Sequence, residues 1–278
     1  MTIWSNISQR AIETPNQIAI RHENRSITYK DLVTEISNRA DFYASLDGNR
    51  IALCAPNSIE WVVDDLAILK AGKCSIPIPM FFTQQQIIHT LETAAVSHII
   101  ALEGHTNQLT AVPKLRSIDN DAKRVILENA HVPKQSVPNI PANVRKITFT
   151  SGTTGNPKGV CYTHRSNVLH TLTSLSSDVM GLSSTDSVMP VVPMFHANAW
   201  GLAFSAPAVG SKIVNPGPNM DGESIYQLLT EEEVTFSAAV PTVWLMLLQH
   251  MEANNLKLPK LNNVTIGGSA VPRMMLEK

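Results

Sequence analysis

Thr150-Ser151-Gly152-Thr153-Thr154-Gly155-Asn156-Pro157-Lys158-Gly159 completes and extends a stretch, Val144 to Thr150, that reads as a β-strand. Its three glycines let the backbone come close to a ligand and take positive φ, so that N–H groups can converge on anionic oxygens. Four hydroxyls, on Thr150, Ser151, Thr153 and Thr154, add neutral donors. Lys158 brings a mobile ammonium suited to a chain of phosphates, and Thr150 stands where its oxygen could meet a magnesium ion bridging them. A polyphosphate is the ligand that this set of groups suits. The spacing departs from the GxxxxGK[ST] loop, because Pro157 stands where that pattern needs its second glycine, and no register from Gly155 restores it. Residue types alone leave a plain surface loop rich in Ser, Thr and Gly as an open alternative.

Outward from the loop, strand-like and helix-like runs alternate. Upstream, Ile18 to Ile20 and Ser26 to Tyr29 flank a polar turn as the arms of a hairpin would, and Leu32, Val33, Ile36, Ala40 and Tyr43 form a helical stripe that stops before Gly48. Ile51 to Ala55, Ser75 to Pro79 and Ser97 to Leu102 predict strands, with helices over Ile59 to Lys70 and Gln84 to Ala95 between them. Gly104 to Asn143 loses this periodicity, and Val132 to Pro141 carries three prolines, so a boundary is placed there. The expected organisation is a first α/β subdomain over residues 1–140 and a second, incomplete one over 141–278 that carries the phosphate loop. Downstream, helices are predicted at His164 to Ser177, Ser224 to Glu232 and Pro241 to Asn254. Strands are predicted at Ser187 to Pro193, Lys212 to Asn215, Val234 to Val240 and Asn263 to Ile266. The succession predicts an α/β fold of parallel-sheet subdomains with flanking helices.

Two further segments carry chemistry. Pro193-Met194-Phe195-His196-Ala197-Asn198-Ala199-Trp200-Gly201 sets an imidazole and an indole among small residues, where an acyl carboxylate could be met with an apolar tunnel behind it. Taken alone, a histidine near a tryptophan reads first as a core pair. Ile266-Gly267-Gly268-Ser269-Ala270-Val271-Pro272 follows a short strand and is expected to open a helix, its glycines packing flat against a base or acyl phosphate. Taken alone, it reads as an ordinary strand-to-helix turn.

Charge and cysteine content exclude several classes. Lys plus Arg number 22 against 23 Asp plus Glu, a formal net charge of -1, which disfavours electrostatic wrapping of nucleic acid. Cys54, Cys74 and Cys161 lack CxxC spacing and sit among apolar neighbours, as reduced thiols of a cytoplasmic protein would. The remaining histidines, among them His89, His98 and His170, follow no ligand spacing and are expected on surfaces and helix faces. Met1 to Arg10 is polar, and nowhere does an apolar run approach the ~20 residues of a membrane span, so no integral membrane segment is expected. Quaternary state is left open, a homodimer included.

The full loop string closely resembles the signature of the adenylate-forming superfamily, with Phe149 where tyrosine is common, and the other two segments follow in the family's order. Thr28 to Leu32, Leu69 to Gly72 and Val240 to Trp244 are similar to the family as well. The resemblance is greatest to medium- and long-chain fatty-acyl-CoA synthetases and runs through essentially all of the chain. It implies the N-terminal domain of an adenylate-forming enzyme, truncated before the C-terminal domain, an incomplete fragment of which full activity is not expected alone. It further implies that Thr150, Ser151, Gly152, Thr153, Thr154, Gly155 and Lys158 grip the β- and γ-phosphates of ATP with Mg2+ near Thr150. Lys158 and His196 become the catalytic candidates. His196, Ala197 and Trp200 would border the fatty acid, Trp200 gating its tunnel, and Gly267, Gly268 and Ser269 would line the acyl-adenylate pocket. The implied substrates are a fatty acid, ATP and CoA. Amino-acid-adenylating relatives hold an aspartate where His196 stands, to pair the substrate's ammonium, so an uncharged acid is preferred here. A non-catalytic ATP or fatty-acid binding module and an aryl- or amino-acid-adenylating domain are the alternatives.

Overall fold

The computed structural model describes residues 2–102, 104–110, 112–113, 115–120, 123–129, 140–150 and 155–277. In chain order the elements begin α1 (Ile3–Glu13), β1 (Ile18–His22), β2 (Arg25–Thr28), α2 (Tyr29–Ser45), β3 (Arg50–Cys54), α3 (Ile59–Lys70), β4 (Cys74–Pro77), α4 (Gln84–Thr93) and β5 (His98–Leu102). A 3-10 turn at Thr106–Leu109 precedes β6 (Leu115–Asn120), β7 (Arg124–Asn129), β8 (Val144–Thr150), β9 (Lys158–Thr163) and α5 (His164–Ser174). Then follow β10 (Ser187–Pro190), α6 (Ala197–Trp200), α7 (Leu202–Val209), β11 (Lys212–Asn215) and α8 (Gly222–Glu231). The last elements are β12 (Phe236–Ala239), α9 (Pro241–Asn254), β13 (Asn263–Ile266) and α10 (Arg273–Leu276).

Contacts partition the chain into two compact units that interleave in sequence. One comprises Met1–Leu32, His170–Pro193 and Asn198–Lys278, the other Val33–Leu169 and Met194–Ala197. The compositional boundary near residue 140 falls inside the second of these. The interleaving follows from strand pairing: β1, near the start, lies parallel to β11, with Ile20 opposite Ile213.

The first unit holds a six-stranded sheet in the order β13-β12-β10-β11-β1-β2, parallel except for the β1–β2 hairpin. Met189, Val191, Val214, Ile225, Leu229, Trp244 and Leu247 form a core between this sheet and helices α8 and α9. α1, which the sequence leaves unassigned, is set by its start: the Thr2 hydroxyl accepts from the Ser5 N–H, the Ser5 side chain caps the Thr2 N–H in return, and Ile3 and Ile7 are buried. Tyr29 opens α2 and donates its hydroxyl to the Ser211 carbonyl at 2.7 Å in the interior.

The second unit holds a seven-stranded sheet in the order β6-β7-β5-β3-β4-β8-β9. Its centre, β5-β3-β4-β8, is parallel, and both flanks are antiparallel. The β6–β7 hairpin lies in the stretch the sequence leaves without periodicity, and His98, expected on a surface, is buried in β5. Ten consecutive residues of α3, Ile59 to Ile68, are buried, so its carboxylates must find partners inside. Asp65 meets Lys146 Nζ of β8 at 2.6 Å, and Asp64 meets Arg124 Nε of β7 at 2.7 Å. Asp65 also accepts from the Ser75 hydroxyl and Asp64 from Tyr43, while Lys146 Nζ stands 5.2 Å above the Trp61 ring. Burial pulls the Lys146 pKa down from the usual lysine range, with Asp65 opposing.

Candidate functional site

β8 runs from Val144 to Thr150 as expected from the sequence, ending where the loop begins. The chain returns antiparallel as β9, with Thr150 opposite Lys158 and Phe149 opposite Gly159. This second strand was not foreseen, because an exposed run containing Gly159 carries no buried alternation. Thr150 and Lys158 are both exposed, facing each other across the mouth of the loop. Gly155 has φ +101, which a side chain would strain, and among the described residues, its chain neighbours apart, no heavy atom lies within 4 Å of where its Cβ would stand. Ser151, Gly152, Thr153 and Thr154 lie outside the described residues.

Pro157, just before β9, is buried, and its carbonyl oxygen lies 3.1 Å from Nε2 of His89 on α4. α4 starts with a capping box, Thr83 accepting from the Gln86 N–H while Gln86 caps Thr83, and it buries Ile87, Thr90 and Leu91. In the same unit, the Met194 N–H donates to Asn57 Oδ1 at 2.7 Å. Phe195 packs edge-on against Phe81, ring centres 5.9 Å apart, leaving His196 and Ala197 exposed beyond it. Asn57 and His89 therefore support two of the motifs. From the sequence, Asn57 was only a turn residue and His89 only a helix-face histidine.

After Ala197 the chain enters the first unit through α6, whose winding is left-handed. Ala197, Asn198, Ala199 and Trp200 have φ of 46, 55, 49 and 56, and Gly201 continues at 84. Left-handed helix costs roughly 1–2 kcal/mol per L-residue, and such strain gathers at functional sites. Gly201 tolerates it and has no room for a side chain, since a Cβ there would fall 2.4 Å from the His170 ring. Within this unit Trp200 is brought onto the third segment: a Cβ on Gly267 would lie 3.1 Å from the indole. Gly268 and Ser269 are exposed beside it. The segment does not itself open a helix, because α10 begins only at Arg273, after Pro272.

Cys54 and Cys74 are buried, which pushes their thiols up to about 11 and about 12 and keeps them un-ionised. Cys161, expected among apolar neighbours, is exposed on β9. Among the described residues no helix is long and apolar enough to cross a membrane.

The family described as AMP-binding enzyme matches residues 7–278. A medium-chain-fatty-acid–CoA ligase of Ectopseudomonas oleovorans is 49% identical over 132 residues, 48% of this chain and 24% of that protein. A long-chain-fatty-acid–CoA ligase of Thermus thermophilus is 48% identical over 132 residues, with the same coverage of 48% and 24%. A feruloyl-CoA synthase of Amycolatopsis sp is 24% identical over 270 residues, 95% of this chain and 54% of that one. The alignments thus span less than a quarter of the two fatty-acid ligases. In fold, the chain is similar to the N-terminal domain of FACL13 from Mycobacterium tuberculosis, with a TM-score of 0.82 at 22% identity, covering 99% of this chain and 72% of that one. A strand-bounded glycine and hydroxyl loop closed by Lys158, the matched family and the shared fold agree: the chain belongs to the AMP-binding enzyme family.

Proposed function

We propose that the chain is the nucleotide- and acid-binding part of an AMP-forming fatty-acid–CoA ligase. In the reaction, a fatty carboxylate attacks the α-phosphorus of ATP, the bond to pyrophosphate breaks, and the CoA thiol then displaces AMP from the acyl-adenylate. The observation that carries this reading is the pairing of Thr150 with Lys158, which puts a hydroxyl and an ammonium at the two ends of a loop suited to anions. None of the described residues beyond its chain neighbours crowds Gly155, which fits a phosphate chain lying against the backbone. Lys158 would neutralise charge building on the departing pyrophosphate, and Ser151, Gly152, Thr153 and Thr154 would add hydrogen bonds to it. A magnesium ion would share that neutralisation, with Thr150 as the hydroxyl placed to touch it. Among the described residues no three His, Cys, Asp or Glu cluster to hold a metal, which fits an ion carried mainly by phosphate oxygens.

His196 and Ala197 are assigned to the acid's carboxylate. Trp200, which lies against Gly267, is assigned to the acid's tail, and Gly267, Gly268 and Ser269 to the acyl-adenylate. The medium- and long-chain fatty-acid ligases among the relatives support a hydrocarbon acid, as does the absence of a carboxylate at His196. The proposed setting is cytoplasmic. The match to a feruloyl-CoA synthase over 95% of this chain favours an aryl acid as the second reading.

The test is to incubate the chain with Mg-ATP and a panel of labelled medium-chain, long-chain, aryl and amino acids, and to look for acyl-adenylate and pyrophosphate. A fatty acid should be activated best, with Lys158→Ala lowering pyrophosphate release about 100-fold. Preference for feruloyl-type acids would transfer the assignment to the second reading. Binding of ATP or fatty acid without adenylate would make the chain a binding module.

A further inference from the structure

We propose that His89 is a positioning residue for the phosphate loop, holding the entrance of β9 and hence Lys158 in place; this rests on the nucleotide-binding reading of that loop. His89 Nε2 lies 3.1 Å from the Pro157 carbonyl oxygen and 3.4 Å from Thr93 Oγ1. A carbonyl oxygen only accepts, so the ring carries its hydrogen on Nε2 and donates it, with the Thr93 oxygen a second acceptor for the same N–H. Pro157 has a fixed φ and no N–H of its own, so tying down its carbonyl sets the peptide plane that leads into Lys158. Lys158 is in turn register partner of Thr150. The far end of the loop is thereby gripped twice, by the sheet and by α4.

The platform behind His89 is firm. Its helix is capped at Thr83 and buries Ile87, Thr90 and Leu91, so the imidazole is presented from a fixed element and not from a loop. Just upstream of that cap, Phe81 packs on Phe195, next to His196. One short stretch, Phe81 to His89, thus touches both the phosphate loop and the His196 segment within a single unit. A histidine at this place does work on the loop without touching the nucleotide.

The experiment uses the whole 278-residue chain. His89→Ala should weaken Mg-ATP binding about 5- to 10-fold in calorimetry, the usual effect of one lost hydrogen bond. It should also speed amide hydrogen exchange at Lys158, Gly159 and Val160. His89→Gln, which can still donate to the Pro157 carbonyl, should restore both. Nitrogen NMR shifts of the unmutated imidazole should place its hydrogen on Nε2, a readout that needs no variant to fold. Unchanged affinity and exchange in His89→Ala, failure of the glutamine to restore them, or an Nδ1–H ring would each overturn the proposal. An unmutated chain that takes up no Mg-ATP would overturn the nucleotide reading, and the exchange and tautomer results would still decide whether His89 holds Pro157.

Discussion

In the second unit Glu60, Asp64, Asp65, Lys73, Arg124 and Lys146 are all buried, whereas the buried polar side chains of the first unit are hydroxyls and amides such as Ser187, Ser205, Ser211, Asn215 and Ser237. The first unit keeps its ion pairs toward the rim, where Lys212 and Arg21 meet Glu232 with all three partly exposed. It draws its elements together by close backbone approach instead. A Cβ on Gly222 of α8 would fall 2.4 Å from the Met246 carbonyl oxygen of α9. One sheet is therefore sensitive to loss of a charge and the other to gain of a methyl group. The strand that delivers the phosphate loop, β8, belongs to the charge-sensitive sheet and carries Lys146 four residues before Thr150.

Removing one partner of the interior pair is the strongest way to break this contrast. Lys146→Met takes the ammonium away from the buried Asp65 carboxylate, and unfolding in urea should show a loss of about 3–5 kcal/mol. Adding Asp65→Asn should recover most of it, because the amide keeps a partner in Ser75 and no charge is stranded. If the single variant is as stable as the unmutated chain, the ionic struts do not distinguish the units. In the first unit, Gly222→Ala should cost about 1–3 kcal/mol by overpacking α8 against α9, measured the same way. A neutral result there would show that α8 simply shifts aside.

Tyr29→Phe strands the Ser211 carbonyl and should cost about 1–2 kcal/mol, less than the ionic break because no charge is involved. The smallest effect concerns pH. Burial, and then the nearby Lys73, hold the His98 pKa below 6.5, so on acidification the unfolded chain binds a proton that the folded chain refuses. Stability due to this group is intact at higher pH and falls as pH drops from 6.5 toward the folded pKa. His98→Gln should flatten that part of the slope in urea midpoints compared at about pH 7.5 and about pH 5. An unchanged slope would assign the acid sensitivity to other groups.

Elements whose own pattern matches their burial were legible in the sequence. Val144–Thr150, Lys212–Asn215, Pro241–Asn254 and Asn263–Ile266 have the bounds that periodicity and Pro241 predict. Elements stabilised by distant partners were not. β6 is mostly polar and β7 has only the short apolar run Val125 to Leu127, and they become strands because β7 lines up against β5 and places Arg124 against Asp64. Asp64 and Asp65 look like the wet side of an amphipathic helix until Arg124 and Lys146 arrive from other strands. At the site, Thr150, Gly155 and Lys158 were visible through their residue types and spacing. His89 and Asn57 were hidden, because each acts through a main-chain atom, Pro157 O or Met194 N, whose approach no local spacing encodes.

Ala197 to Gly201 is, among the described residues, the one run of five successive residues with positive φ. D-amino acids prefer that half of conformational space, being mirror images of the residues encoded here. Semisynthesis with D-alanine at 197 or 199 would therefore suit the backbone better than the natural residues do, and would turn a coil wound against its own chirality into a relaxed one. Chemists wishing to stiffen the approach to Trp200 have in this turn a place where the genetic code itself is the limitation.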